Sequence, residues 1–261
     1  MQLGAGPRLI VGVDYGTTST GVTCALTNDL QIGPVWTVFK WPGGEECGFR
    51  HLKVPSRISY QQNRQMPSDW GFRCQPNSET YSWTKLLLGI QSSSDQASET
   101  NTFNDPILEE VMRMGILKLP DGKSAVKVIA DFLRCVTEYV LTHLPEPMAQ
   151  VCQSGAGIDY WITVPATWSA ERRTLMRHAA QMAGFGSRAE DRVFFLSEPE
   201  AAMHAVPYMD GVDLQPGDGV LVCDCGGGTV DVASFLIRES GSRPNFERLS
   251  ADIGMYDTDD A

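Results

Sequence analysis

Apolar residues in this chain fall in two periods. Short runs occur at residues 9–14 (LIVGVD), 21–26 (GVTCAL), 35–39 (VWTVF), 159–164 (DYWITV), 192–197 (RVFFLS), 219–224 (GVLVCD) and 229–237 (TVDVASFLI). They are mostly bounded by turn residues, and each predicts a strand. Residues 124–144 instead place Val126, Ile129, Leu133, Val136, Val140 and Leu144 at steps of three or four. That is the spacing of an amphipathic helix, and Pro145 and Pro147 stop it. Ser169 is placed to cap a helix running to about Ala183, with Gly184 ending it, and residues 198–206 predict a short helix.

The stretch 45–122 has no such regularity. It contains Pro55, Pro67, Pro76 and Pro106, a polar run at 91–101 that reads as an exposed loop, and apolar patches at 83–90 and 107–119. It is expected to be a subdomain inserted into the main fold. The organisation expected is a first lobe over 1–190, with 45–122 inserted, and a partial second lobe over 191–261. No solenoid-like period is present. One long-range similarity links residues 9–26 with 219–237: an apolar strand, an Asp, a glycine-containing turn with Thr, and another apolar strand.

The chemistry concentrates in those two turns. In Asp14-Tyr15-Gly16-Thr17-Thr18-Ser19 a glycine lets the backbone approach a ligand, consecutive amides form an anion-binding concavity, and two threonines add hydroxyl donors. Asp14 ends its strand, where a carboxylate can hold water around Mg²⁺. In Asp224-Cys225-Gly226-Gly227-Gly228-Thr229-Val230-Asp231, three glycines between apolar strands carry a large entropic cost, which close approach to a phosphate would explain. Either turn alone is also a plain hairpin. Together they can grip a polyphosphate from both sides.

These two segments resemble the phosphate-binding hairpins of actin-like ATPases. Residues 160–185 (YWITVPATWSAERRTLMRHAAQMAGF), with a strand, a Val-Pro-Ala turn and a helix, are similar to a segment of the 70-kDa heat-shock (DnaK-type) chaperones. So are FFLSEPEAAMHAV, their connecting segment, and SWTKLLLG, the stretch that carries their catalytic lysine. The resemblance spans residues 9–237 with the motifs in order. It implies an α/β, ribonuclease H-like fold of the actin-like ATPase type, with mixed sheets flanked by helices, and ATP and Mg²⁺ as cofactors. By the resemblance, Gly16, Thr17 and Thr18 hold phosphates from one lobe, and Gly226, Gly227, Gly228 and Thr229 from the other. Asp14 and Asp224 order the Mg²⁺ shell, mainly through water. Lys85 faces the γ-phosphate and Glu198 positions water; Lys85, Glu198 and Asp224 form the catalytic set. Pro165 and Arg173 couple nucleotide state to a partner domain, which brings in client proteins or co-chaperones.

Read without the resemblance, Lys85 is also a solvated lysine beside an apolar segment, Glu198 a cap for the helix starting at Pro199, and Arg173 an ordinary surface residue. His51, His143, His178 and His204 have no companion pattern and read as structural. The resemblance lapses after residue 237: nothing in 238–261 matches the adenosine-supporting segment, so an incomplete second lobe and weakened nucleotide affinity are expected. Cys225 and Glu200 depart from the usual aliphatic and threonine at their positions.

Composition narrows the classes. Hydrophobic residues make up 42% and charged residues 20% of the chain, and the net charge is −11, so nucleic acid is disfavoured as a partner while ATP is not. Seven cysteines, an odd number without a C-x-x-C pair, argue for a reducing cytosol; Cys223 and Cys225 read as ordinary packing in a strand. No stretch is long enough for a signal core or a membrane span, and a cytoplasmic protein is expected. The functions left are an ATP-binding, slowly hydrolysing chaperone-like domain, a non-hydrolysing interaction protein or truncated product, and a sugar kinase of the same superfold. The Val-Pro-Ala, Ser-Glu-Pro-Glu-Ala-Ala and Gly-Gly-Gly segments speak against the kinase.

Overall fold

The computed structural model describes residues 6–28, 31–45, 50–61, 66–88, 111, 113–115, 117–209, 211–241, 244–249 and 253–254. The polar run at 91–101 and Cys47 lie outside them, as does part of the apolar patch at 107–119.

Strand β1 (Arg8–Tyr15) alternates half-buried and buried residues, with Leu9, Val11, Val13 and Tyr15 in the core. The alternation sends Asp14 to the opposite face at the strand end. β1 pairs antiparallel with β2 (Ser19–Asn28), and short strands β3 (Gln31–Ile32), β4 (Trp36–Thr37) and β5 (Lys53–Pro55) share the other edge of β2. Because β3, β4 and β5 divide that edge, the run at 35–39 forms only the two-residue strand β4, with Val38 N–H donating in addition to Val22 O (3.0 Å). β6 (Arg57–Tyr60), β7 (Pro67–Trp70) and β8 (Thr80–Ser82) form a separate three-stranded sheet.

Helix α1 (Ala125–Thr142) is capped by the Ser124 side chain and buries Val128, Ile129, Leu133, Val136 and Val140. After α2 (Met148–Gln153), β9 (Ile158–Val164) pairs parallel to β1 and β10 (Arg192–Ser197) parallel to β9, completing a seven-stranded mixed sheet. Between them α3 (Ala170–Ala183) starts at the Ser169 cap and ends at left-handed Gly184, as the spacing predicts. α1 and α3 pack together and share one core with this sheet.

Helix α4 (Glu198–Ala205) leads to the second sheet: β11 (Gly219–Cys225), β12 (Val230–Glu239), β13 (Asn245–Arg248) and β14 (Ile253–Gly254), with β12 central. Met203 of α4 packs on Ala233, Phe235 and Ile237, and Val220 and Val222 face the same cluster. The alternate residues of edge strand β11 point away from α4, so Leu221 is 70% exposed and Cys223 and Cys225 are exposed too. The expectation that these two cysteines are ordinary packing is therefore wrong. Among the described residues, no helix is long and apolar enough to cross a membrane.

Candidate functional site

Two turns closed in the same way meet each other. In the first, Gly16 N–H donates to Ser19 O (3.1 Å); in the second, Gly226 N–H donates to Thr229 O (2.9 Å). A Cβ at Gly228 would lie 2.9 Å from Thr17 Oγ1 and 2.8 Å from Leu86 Cδ2. A Cβ at Gly227 would meet the Thr18 side chain well inside contact distance. The turns thus face each other, and Thr17, only 6% exposed, stands between them. The 3₁₀ turn Thr84–Leu87 abuts the same place.

Lys85 comes from that turn. Trp83, just before it, has φ of 59°, a left-handed conformation costly for a large side chain, which sets the direction of the turn. Tyr15 and Thr84 share a buried hydroxyl hydrogen bond of 2.9 Å that ties the turn to β1. Lys85 Nζ donates to Glu198 Oε1 at 2.5 Å, with the two side chains only 5% and 11% exposed. The ammonium also lies 5.5 Å from the Trp168 ring centroid. Lys85 is a buried, paired cation, not a solvated lysine. Glu198 opens α4 without serving as its cap, since the Ser197 hydroxyl accepts from Glu200 N–H.

The carboxylates converge on the same cleft. Burial would raise the Asp14 carboxyl, but Lys53 Nζ at 2.7 Å and Thr163 Oγ1 at 2.9 Å hold it below its ordinary value. Burial raises Glu198, and Asp14 and Asp231 add to this against the pull of Lys85. Asp224, facing Asp231 across β11 and β12, is raised first by burial and then by Asp14 and Asp231. Asp231 is 1% exposed; its Oδ1 accepts from Ala166 N–H (3.1 Å), while Oδ2 has no hydrogen-bond partner among the described residues.

Asp231 also joins the second hairpin to the Val-Pro-Ala turn. Arg173 completes that link by donating from Nη2 to Ala166 O (2.9 Å) and from Nε to Trp168 O (3.1 Å). Arg173 is thereby a brace for the residues after Pro165 rather than an ordinary surface residue. The structure brings Asp14, Gly16, Thr17, Thr18, Lys85, Glu198, Asp224, Gly226, Gly227, Gly228 and Thr229 into one region. Sequence reasoning missed Lys53 and Thr163, which reach Asp14 only through strand pairing. It also assigned no role to Asp231, although the residue lies within the Gly-Gly-Gly segment it singled out.

This is the architecture of an actin-like ATPase domain: a mixed α/β body with two glycine-turn hairpins set face to face. No family model matches the chain. Heat shock 70 kDa protein 12B of Homo sapiens is 24% identical over 295 aligned positions, covering 88% of this chain and 40% of that protein. Heat shock 70 kDa protein 12A is 26% identical in both Homo sapiens and Mus musculus, over 74% of this chain and 28% of each protein. The chain is a distant relative of these 70-kDa heat-shock proteins, and it spans less than half the length of each.

Proposed function

We propose that the cleft between the two hairpins binds the polyphosphate of ATP or ADP together with Mg²⁺, and that it hydrolyses ATP slowly. The observation that carries this reading is the face-to-face setting of the Gly16–Thr17–Thr18 and Gly226–Gly227–Gly228 turns. Amides in such turns present fixed partial positive charge to an anion from both sides. Lys85 is near enough to the phosphate turns to stabilise charge developing on a transferred phosphoryl group. Glu198, with its proton affinity raised, is suited to hold and polarise a water molecule.

Asp14 and Asp224 fit the Mg²⁺ role. Asp224 is a carboxylate crowded by Asp14 and Asp231, which a divalent ion would relieve. The ion would supply charge neutralisation at the phosphates. Through Asp231, Ala166 and Arg173, the second hairpin is connected to the surface of α3, a route by which nucleotide state could reach client proteins or co-chaperones.

Binding without turnover is a second reading. It is favoured by the direct Lys85–Glu198 contact, which occupies the expected catalytic cation with the expected water-positioning carboxylate. Calorimetric titration with Mg-ATP, beside Asp14→Ala and Thr18→Ala variants, tests the shared part of both. Heat that disappears in the variants supports the cleft, whereas no heat from a cooperatively folded native chain rejects it. Phosphate release then separates slow hydrolysis from binding alone.

A further inference from the structure

A single row of residues crosses four strands at the edge of the cleft. Thr163 follows Ile162, the partner of Val13, and donates its hydroxyl to Asp14 Oδ1; Asp14 faces Gly21 on β2, and Gly21 faces Lys53 on β5. Lys53 is two strands away from Asp14, yet its Nζ reaches Asp14 Oδ2 at 2.7 Å. It does so by lying over Gly21: a Cβ there would sit 3.4 Å from Lys53 Cγ and 3.6 Å from Lys53 Cε. Gly21 has no positive φ to explain its choice. The lysine stem crosses Gly21 at ordinary contact distance from where a Cβ would sit, so a branched side chain there would meet it.

The charge placed there is the second cation of the cleft. Lys85 pairs directly with Glu198 and Lys53 directly with Asp14, and both act at longer range on Asp224. Half of the Lys53 side chain is exposed, as is 41% of the Asp14 side chain, so the pair borders solvent. An ammonium on a four-carbon stem can move between a carboxylate and a nearby phosphate by rotating its stem.

Building on the nucleotide-binding reading above, we propose that Lys53 is a phosphate-positioning residue. It supplies at Asp14 a positive charge that a divalent ion would otherwise have to supply. The cleft then accepts the polyphosphate of a nucleoside diphosphate or triphosphate with reduced dependence on divalent metal. Gly21 keeps the path of the lysine free of any branched side chain.

The test measures ADP affinity of the whole chain by calorimetry, in excess magnesium chloride and again in EDTA. The expected result is a small loss in EDTA for the native chain and a loss about tenfold larger for Lys53→Gln, the effect of one unit charge in a partly solvated cleft. Lys53→Arg should restore the native ratio. Gly21→Val, which keeps the lysine but places a branched side chain in its path, should behave like Lys53→Gln, and it carries the test should that variant fold poorly. Equal losses in the native chain and both variants would overturn the assignment of Lys53 while leaving nucleotide binding intact. If native chain that melts cooperatively binds ADP in neither buffer, nucleotide binding itself is rejected, and this role with it.

Discussion

Gly227 stands so close to Thr18 that a Cβ on the glycine would come within 2.7 Å of Thr18 Oγ1 and closer still to its methyl group. Gly227, and Gly228 with Leu86 alongside, are thus required by the opposing hairpin, whereas Gly226 is crowded by Thr229 of its own turn; none of the three has a positive φ. The same contact brings the amides of the two turns to one place.

Gly227→Ala should therefore act as an overpacking change at the hairpin junction. A loss of about 1–3 kcal/mol in stability is expected by urea unfolding. ADP affinity should fall with it, since the turns can no longer meet. Thr18→Gly in the same chain removes the opposing atoms and should recover part of the stability without recovering the Thr18 hydroxyl. An alanine that costs nothing by either measurement would mean that the turns do not touch in solution.

The pair between Lys85 and Glu198 yields a second prediction. Removing one partner leaves the other charge buried, so Lys85→Met should cost about 3–5 kcal/mol. Lys85→Met combined with Glu198→Gln should cost less than the two single changes added together, because neither charge is stranded. Urea unfolding of the four chains gives the cycle. Additive losses would show that the pair is not formed.

Much of this fold was legible because its signals are local. The Ser169 cap and Gly184 stop delimit α3, and residues 192–197 match β10. Both hairpins announce themselves as an Asp, a glycine turn and a Thr. That Lys85 and Glu198 belong to one site was legible only through resemblance, and their direct pairing was not legible, since 113 positions separate the two residues and no spacing rule spans that gap. Lys53 was not legible at all. Its role depends on β5 joining the edge of β2, and a three-residue strand ending in proline gives almost no periodic signal. The exposure of Cys223 and Cys225 was misjudged because alternation along β11 shows that two faces exist, but not which of them α4 covers.

Acid should unfold the core that α1 shares with the seven-stranded sheet through Asp131. Its side chain is fully buried on α1. Burial alone would raise the carboxyl, but the Lys123 ammonium and Tyr60 hydroxyl, with Lys127, hold it below the ordinary aspartate value. A carboxyl depressed in the folded state stabilises above its unfolded pKa of about 3.9 and loses that contribution as the pH falls through the lower folded value. Asp131→Asn should lower stability at neutral pH by about 3–5 kcal/mol, because it breaks the buried ion pair with Lys123. It should also flatten the decline of stability below pH ~4. Urea unfolding at a series of pH values checks both. An unchanged acid limb in the variant would assign acid unfolding to other carboxylates, such as Asp159 between Arg8 and Arg192.

The two cysteines of β11 should react while the core thiols stay silent. Their sulfurs lie 3.7 Å apart on the uncovered face of an edge strand. Burial pushes Cys24 up to about 12 and Cys135 up to about 11, and Cys24 is enclosed as well. Cys223 is itself raised by its hydrogen bond to, and the charge of, Cys225, so its alkylation should accelerate as the pH rises. Iodoacetamide labelling of the native chain, followed by peptide mass spectrometry, should find Cys223 and Cys225 modified long before Cys24 and Cys135. Equal labelling of all four would mean that the core opens on the labelling time scale. Protection of Cys223 and Cys225 alone would mean that the outer face of β11, with Leu221, is covered in solution.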